Sequence, residues 1–83
     1  MVMRYYFDMQ DGDQLIVDDE GQECASIERV QEEAARSLAD MARDRALTHA
    51  HDAVRHSMSI RVRDEKGPIL KAQFVFEMGR MNN

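Results

Sequence analysis

The chain has no tryptophan, one cysteine, one proline and four glycines in 83 residues, and aromatic side chains make up only 6% of it. A lone Cys24 cannot close an internal disulfide and cannot build a cysteine-rich zinc site. Its near neighbours Glu20 and Glu23 do not favour a thiolate, so a buried, inert thiol is expected. No apolar run approaches the ~20 residues that a membrane helix needs. Residues 1–10 carry Arg4 and Asp8 and alternate in polarity, unlike the continuous apolar stretch of a signal peptide, so a cytoplasmic location is expected. Positive charge is in the minority. Eleven Lys and Arg against sixteen Asp and Glu give a formal charge of −5, and that net field repels polyanions unless charge is segregated. There is no glycine-rich phosphate loop, no nucleophile elbow and no histidine pair on a helix. Neither an enzyme nor a cofactor is expected.

What is present reads as a single small domain over residues 1–83, with 79–83 as a tail. A chain this short buries only ~60% of its unfolded surface, which makes self-association one route to further burial. From Val2 to Met9, Met3, Tyr5, Phe7 and Met9 alternate with Val2, Arg4, Tyr6 and Asp8, the pattern of a half-buried strand. Gly12 between Asp11 and Asp13 supplies turn chemistry, and Leu15 to Val17 forms a second, shorter strand. Ser26 is an N-cap with Glu28 in the first turn. Ile27, Val30, Ala34, Leu38 and Met41 then form one apolar helical stripe flanked by Ala35 and Ala42. On the polar face Arg29–Glu33, Glu32–Arg36 and Arg36–Asp40 stand at i,i+4 spacing. Arg45 falls where the stripe needs an apolar residue, so the helix is expected to end near Arg45 to Thr48, with His49 to His56 as a connector.

Alternation resumes with Met58, Ile60 and Val62 between Ser57 and Asp64, followed by an Asp64-Glu65-Lys66-Gly67 turn. The last strand runs from Ile69 to Met78, with Leu70, Ala72, Phe74, Phe76 and Met78 as its core face. The class is α+β in the order ββαββ, one amphipathic helix on a four-stranded, mostly antiparallel sheet. The first and last strands are the longest and most aromatic, which suits the centre of a sheet. A β-grasp-like strand order 2-1-4-3, with the first and last strands parallel in the middle, is therefore favoured, and pairing of the first strand with the third is the alternative.

Three blocks of residues carry a resemblance. Arg4-Tyr5-Tyr6-Phe7-Asp8 with Asp11-Gly12 and Asp18-Asp19-Glu20-Gly21 form the first. Glu32-Glu33-Ala34-Ala35-Arg36 with Leu38-Ala39-Asp40-Met41-Ala42 form the second. Val62-Arg63-Asp64-Glu65, Gly67-Pro68-Ile69-Leu70 and the Phe74-x-Phe76 pair form the third. Over nearly its whole length the chain resembles a family of small bacterial proteins known only as a domain of unknown function. The resemblance implies a small stand-alone chain and no particular activity. The stretch from Leu47 to His56 departs from it by being longer and richer in histidine. The first half is also similar to the antitoxin partner of some toxin–antitoxin pairs, a pattern that many small α+β domains share.

The sheet face away from the helix is the candidate binding face. It carries Arg4, Tyr6, Arg61, Arg63, Lys71 and Gln73, with Val2, Ile69 and Val75 among them. Tyr and Arg are enriched in protein interfaces, so a non-enzymatic protein-interaction module, homodimeric through this face or bound to another protein, is the expected function. Nucleic-acid binding or an antitoxin-like regulatory role through the same basic and aromatic face is the alternative. Charge reversal at both Arg61 and Arg63 is expected to abolish binding through this face with the fold intact. His49, His51 and His56 with Asp52 have zinc-ligand chemistry. In a flexible connector they read first as solvated loop residues. The acids Asp8, Asp11, Asp13, Asp18, Asp19 and Glu20 read as turn formers, with docking of a basic partner as the functional alternative.

Overall fold

Residues 2–51 and 54–81 are described by the computed structural model. Alternating polarity builds β1 (Met3–Asp11), β2 (Gln14–Ile16), β4 (Val54–Asp64) and β5 (Gly67–Met78). A short strand that the alternation did not signal, β3 (Gln22–Cys24), precedes the helix α1 (Ile27–Thr48). The strand order is β2-β1-β4-β5, with β3 bonded to β1, and every pairing is antiparallel.

The α+β class therefore stands, while the favoured strand order does not. The first strand pairs antiparallel with the strand that follows the helix, in the register Tyr6↔Arg63 to Asp11↔Met58. Aromatic content pointed to β5 as a central strand, but β5 lies at an edge. The centre belongs to β4, whose Met58, Ile60 and Val62 are essentially fully buried beneath α1. β4 is central because β1 and β5 hydrogen-bond its two edges, which sets its inward side chains in the core that α1 covers. This pairing also brings Arg63 to Asp8 and His56 to Asp11.

The helix starts where its cap directs. The Ser26 hydroxyl accepts from the Arg29 amide at 3.2 Å, which satisfies one of the helix's orphan donors. Val30, Ala34, Leu38 and Ala42 are its buried residues, and the two alanines bring its backbone close to the sheet. The surface ion pairs differ from strict i,i+4 spacing. Glu33 sits between Arg29 and Arg36, at 3.7 and 3.2 Å, Arg29 also meets Glu32 at 2.9 Å, and Asp40 turns to Arg43 at 3.9 Å. Long side chains at i,i+3 are equally close neighbours on a helix.

The helix runs to Thr48, and Arg45 is not the end of its inner face. The Arg45 guanidinium reaches the buried Asp11 carboxylate at the end of β1, and His56 of β4 bonds the other oxygen of that carboxylate. The connector is accordingly shorter than expected. His49 caps the helix by donating its amide to the Arg45 carbonyl at 3.0 Å, and β4 is already under way at His56.

Candidate functional site

The register sets the open face row by row, because successive side chains on a strand point to opposite sides. Tyr6 stands beside Arg63. Asp8, Arg61 and Lys71 form the next row, and Gln10, Ser59 and Gln73 the one after. All six residues expected on the binding face belong to β1, β4 and β5. They do not form one uniform surface.

Arg63 is held in a knot of internal contacts. Its Nε donates to Asp8 Oδ2 at 2.9 Å, its Nη2 donates to the Asp18 carbonyl at 2.9 Å, and its guanidinium lies 4.6 Å from the centre of the Tyr6 ring. The Asp8 bond is the chief reason the guanidinium is held in its charged form more firmly than usual. Asp18 organises the other side of the knot. β2 and β3 share one edge of β1 and leave a gap between Ile16 and Gln22. In that gap the Asp18 carboxylate takes the place of a strand. It accepts from the Phe7 amide at 3.0 Å, from Glu20 at 3.1 Å and from Gly21 at 3.0 Å. Asp8 in turn accepts the Asp18 amide at 2.9 Å. Burial is the largest single influence on both carboxyls and pushes their pKa values up. The hydrogen bonds and the Arg63 charge together outweigh it and hold both below the usual carboxylate value.

Arg4 is engaged as well, donating to the Glu20 carbonyl at 2.7 Å and to Glu23 at 3.2 Å. Three members of the expected face, Arg4, Tyr6 and Arg63, thus clamp the 18–24 segment onto the sheet. The consequence for charge reversal is direct. A glutamate at position 63 would face Asp8, so the double reversal is not a surface change, and Arg61 is the clean probe of this face. The side chains of Arg61, Lys71 and Gln73 make no hydrogen bond or ion pair with the other described residues. Arg61 and Lys71 are direct cross-strand neighbours.

The histidines separate. His56 is a half-buried strand residue bonded to Asp11, with the His49 ring 5.2 Å away, whereas His51 is exposed and Asp52 lies outside the described residues. The loop reading thus fails for His56. Among the described residues no group of three His, Cys, Asp or Glu is arranged to hold a metal ion. Of the acids, Asp8, Asp11 and Asp18 are structural, which leaves Asp13, Asp19 and Glu20 at the surface. Cys24 is buried in the core. No helix among the described residues is long and apolar enough to cross a membrane.

The surface that alternation missed lies on the helix side of β5. Phe74 and Met78 belong to the expected core face, yet each is 40% exposed. The helix covers β4 and stops short of the outer edge of β5. Between the two runs an open groove of about 680 Å³, lined by Ala35, Ala39, Ala42 and Ala46 of α1 and by Ala72 and Phe74 of β5. Ala35, read as a flank of the stripe, is exposed along this groove, as is Ala39. The signal available in the sequence was the narrowness of the apolar stripe, which is too thin to cover three strands.

Compared with known proteins, residues 4–75 match a family described as a domain of unknown function, DUF6894. No curated protein and no solved structure matches at a significant level.

Proposed function

The chain belongs to the DUF6894 family, a domain of unknown function, and since membership supplies no activity we propose from its surfaces that it is a non-enzymatic protein-interaction module. The observation that carries this reading is the edge strand β5. It presents Phe74 and Met78 on the helix side, where Phe74 lines an apolar groove, and Ile69 and Val75 on the open face, each about two-fifths exposed. A cluster of large exposed apolar side chains on so small a chain is the usual mark of a docking surface. The chemistry-bearing side chains support the same reading from the other direction. Asp8, Asp11, Asp18, Arg45, His56 and Arg63 are bonded to one another or to backbone, which makes them parts of the scaffold. Lys71 and Gln73 on the open face of β5, with Arg61 beside Lys71 on β4, form the polar rim of this surface.

The test is capture of partners from the host lysate by tagged wild type and by Ala39→Glu, each with and without nuclease. Ala39 is an exposed helix position, and glutamate is a good helix former, so the variant keeps the fold and charges the groove. A stoichiometric protein retained after nuclease by wild type and lost by Ala39→Glu supports the module. Material that nuclease or moderate salt removes, and that Arg61→Glu abolishes, supports nucleic-acid binding through Arg61 and Lys71 instead.

A further inference from the structure

We infer that the occupant of the β5 edge is a second copy of the chain, paired antiparallel with the first in a register centred on Phe74. This rests on the interaction-module reading and names its partner. The outer edge of β5 has no strand against it among the described residues, so its outward N–H and C=O groups are unpaired. Edge strands are normally blunted by proline, charge or brevity. β5 is twelve residues long, its proline stands at the start, and between Pro68 and Glu77 it carries only one charge, Lys71.

Self-pairing about a two-fold axis permits few registers. Directly opposed residues share a face, so a slip by one residue would set the open face of one copy against the helix face of the other. Centring on Gln73 puts Lys71 opposite Val75 and Glu77 opposite Ile69. Centring on Val75 puts Lys71 opposite Gly79 and Phe74 opposite Phe76. Centring on Phe74 pairs opposite charges on the open face, with Gln73 opposite Val75 between them, and apolar residues on the helix face. On the open face Lys71 stands opposite Glu77 of the other copy, twice by symmetry. On the helix face Ala72 stands opposite Phe76, Leu70 opposite Met78, and Phe74 meets its own counterpart beside the two apposed grooves. Lys71 lacks an ion-pair partner within the described chain and lies beside Arg61, so an incoming carboxylate relieves a like-charge contact. Glu77 already meets Arg55 at 3.1 Å and has a second oxygen to offer.

The area agrees. A compact protein of 9.6 kDa exposes roughly 5,100 Å², whereas this chain exposes 6175 Å². The difference is of the order of the ~800 Å² that each partner buries in a standard interface.

The experiment is sedimentation equilibrium on wild type, Lys71→Glu, Glu77→Lys, the double variant and an equimolar mixture of the two single variants. Wild type is expected to be dimeric at micromolar concentration. Each single variant sets like charges opposite one another twice and is expected to dissociate with a Kd raised about tenfold or more. The double variant restores opposite charges and is expected to dimerise as wild type does. The mixture is expected to form the heterodimer that neither variant forms with itself. A second measurement does not depend on charge. Phe74→Cys is expected to cross-link under mild oxidation and Val75→Cys is not, because only position 74 meets its own counterpart within disulfide reach. A wild type that stays monomeric at 100 μM overturns the inference. So does a dimer indifferent to both single variants, or one that cross-links at 75 and not at 74. Each of these leaves the lysate capture with Ala39→Glu to decide the module reading separately.

Discussion

Asp18 does the work of a missing strand segment. Its carboxylate accepts three backbone amides in the gap between β2 and β3, and its own amide and carbonyl bind Asp8 and Arg63. Asp18→Ala leaves those amides without their acceptor, and a loss of at least about 2 kcal/mol is expected in urea unfolding. Gly21, three residues after Asp18 and one of the donors to its carboxylate, has φ +74°. A Cβ there would lie 2.9 Å from both Arg4 Cγ and Tyr6 Cε1 and 3.0 Å from the Tyr5 carbonyl. Gly21→Ala therefore combines backbone strain with a clash, and a drop in Tm corresponding to about 2 kcal/mol is expected. The three structural acids also set the acid limb of stability. Asp8, Asp11 and Asp18 all titrate below the usual 3.8 in the folded chain. For Asp11, burial is the largest influence and raises the value, while the His56 bond and the Arg45 charge together lower it further. A depressed folded pKa stabilises the fold fully above the unfolded value and loses that contribution as pH falls through the folded value. Stability from these groups is thus expected to be level above about pH 5 and to fall below about pH 4. Asp11→Asn should flatten part of that fall in a pH series of urea midpoints. An unchanged slope would contradict the assignment.

At the scale of elements, α1 was the easiest part of the chain to read and β5 the hardest to place. Ser26, Glu28 and the apolar stripe make the helix start legible, because a cap and a 3.6-residue period are local properties. Ser26→Ala is expected to cost about 1 kcal/mol, seen as faster amide exchange in the first turn. The helix end was ambiguous because Arg45 breaks the stripe, and its partner Asp11 lies far earlier in the sequence on β1. Arg45→Ala should leave the carboxylate half-satisfied and loosen the last turn against the sheet. Exchange protection is expected to fall from Met41 to Thr48 and to persist near Val30. The β4–β5 hairpin follows from the Asp64–Gly67 turn, where the Asp64 carboxylate accepts the Lys66 amide at 2.8 Å and the Gly67 amide at 3.1 Å. Which of its two strands is central is not a local property. Both alternate and both are apolar on one face, and only the pairing of β1 with β4 separates them.

For the whole molecule, shape and surface lead to the same expectation. The radius of gyration is 15.0 Å and the extents are 57 × 22 × 17 Å, whereas a compact chain of this length has a radius near 12 Å. A dimer through β5 makes apparent stability depend on association, so Tm is expected to rise with protein concentration and to stop doing so in Lys71→Glu. A concentration-independent Tm in wild type would argue for a folded monomer. The first and third of the blocks that carry the family resemblance meet in space at the knot of Tyr6, Asp8, Asp18, Gly21 and Arg63, which ties them to folding. That is also why Arg4, Tyr6 and Arg63 read as a binding face from the sequence: a cation and a ring look alike whether they face solvent or an internal carboxylate. By itself the sequence determined the α+β class, the four long or alternating elements, the helix N-cap, the turns and the inward Tyr5, Phe7 and Met9 of β1 and Met58, Ile60 and Val62 of β4, because periodicity and capping act over a few residues. The tertiary structure alone decided the strand order, the short β3, the Asp11–Arg45–His56 contact and the bare edge of β5. Each of these depends on which distant segments come together, and a preference that is equal for two partners is settled only by the packing that admits one of them.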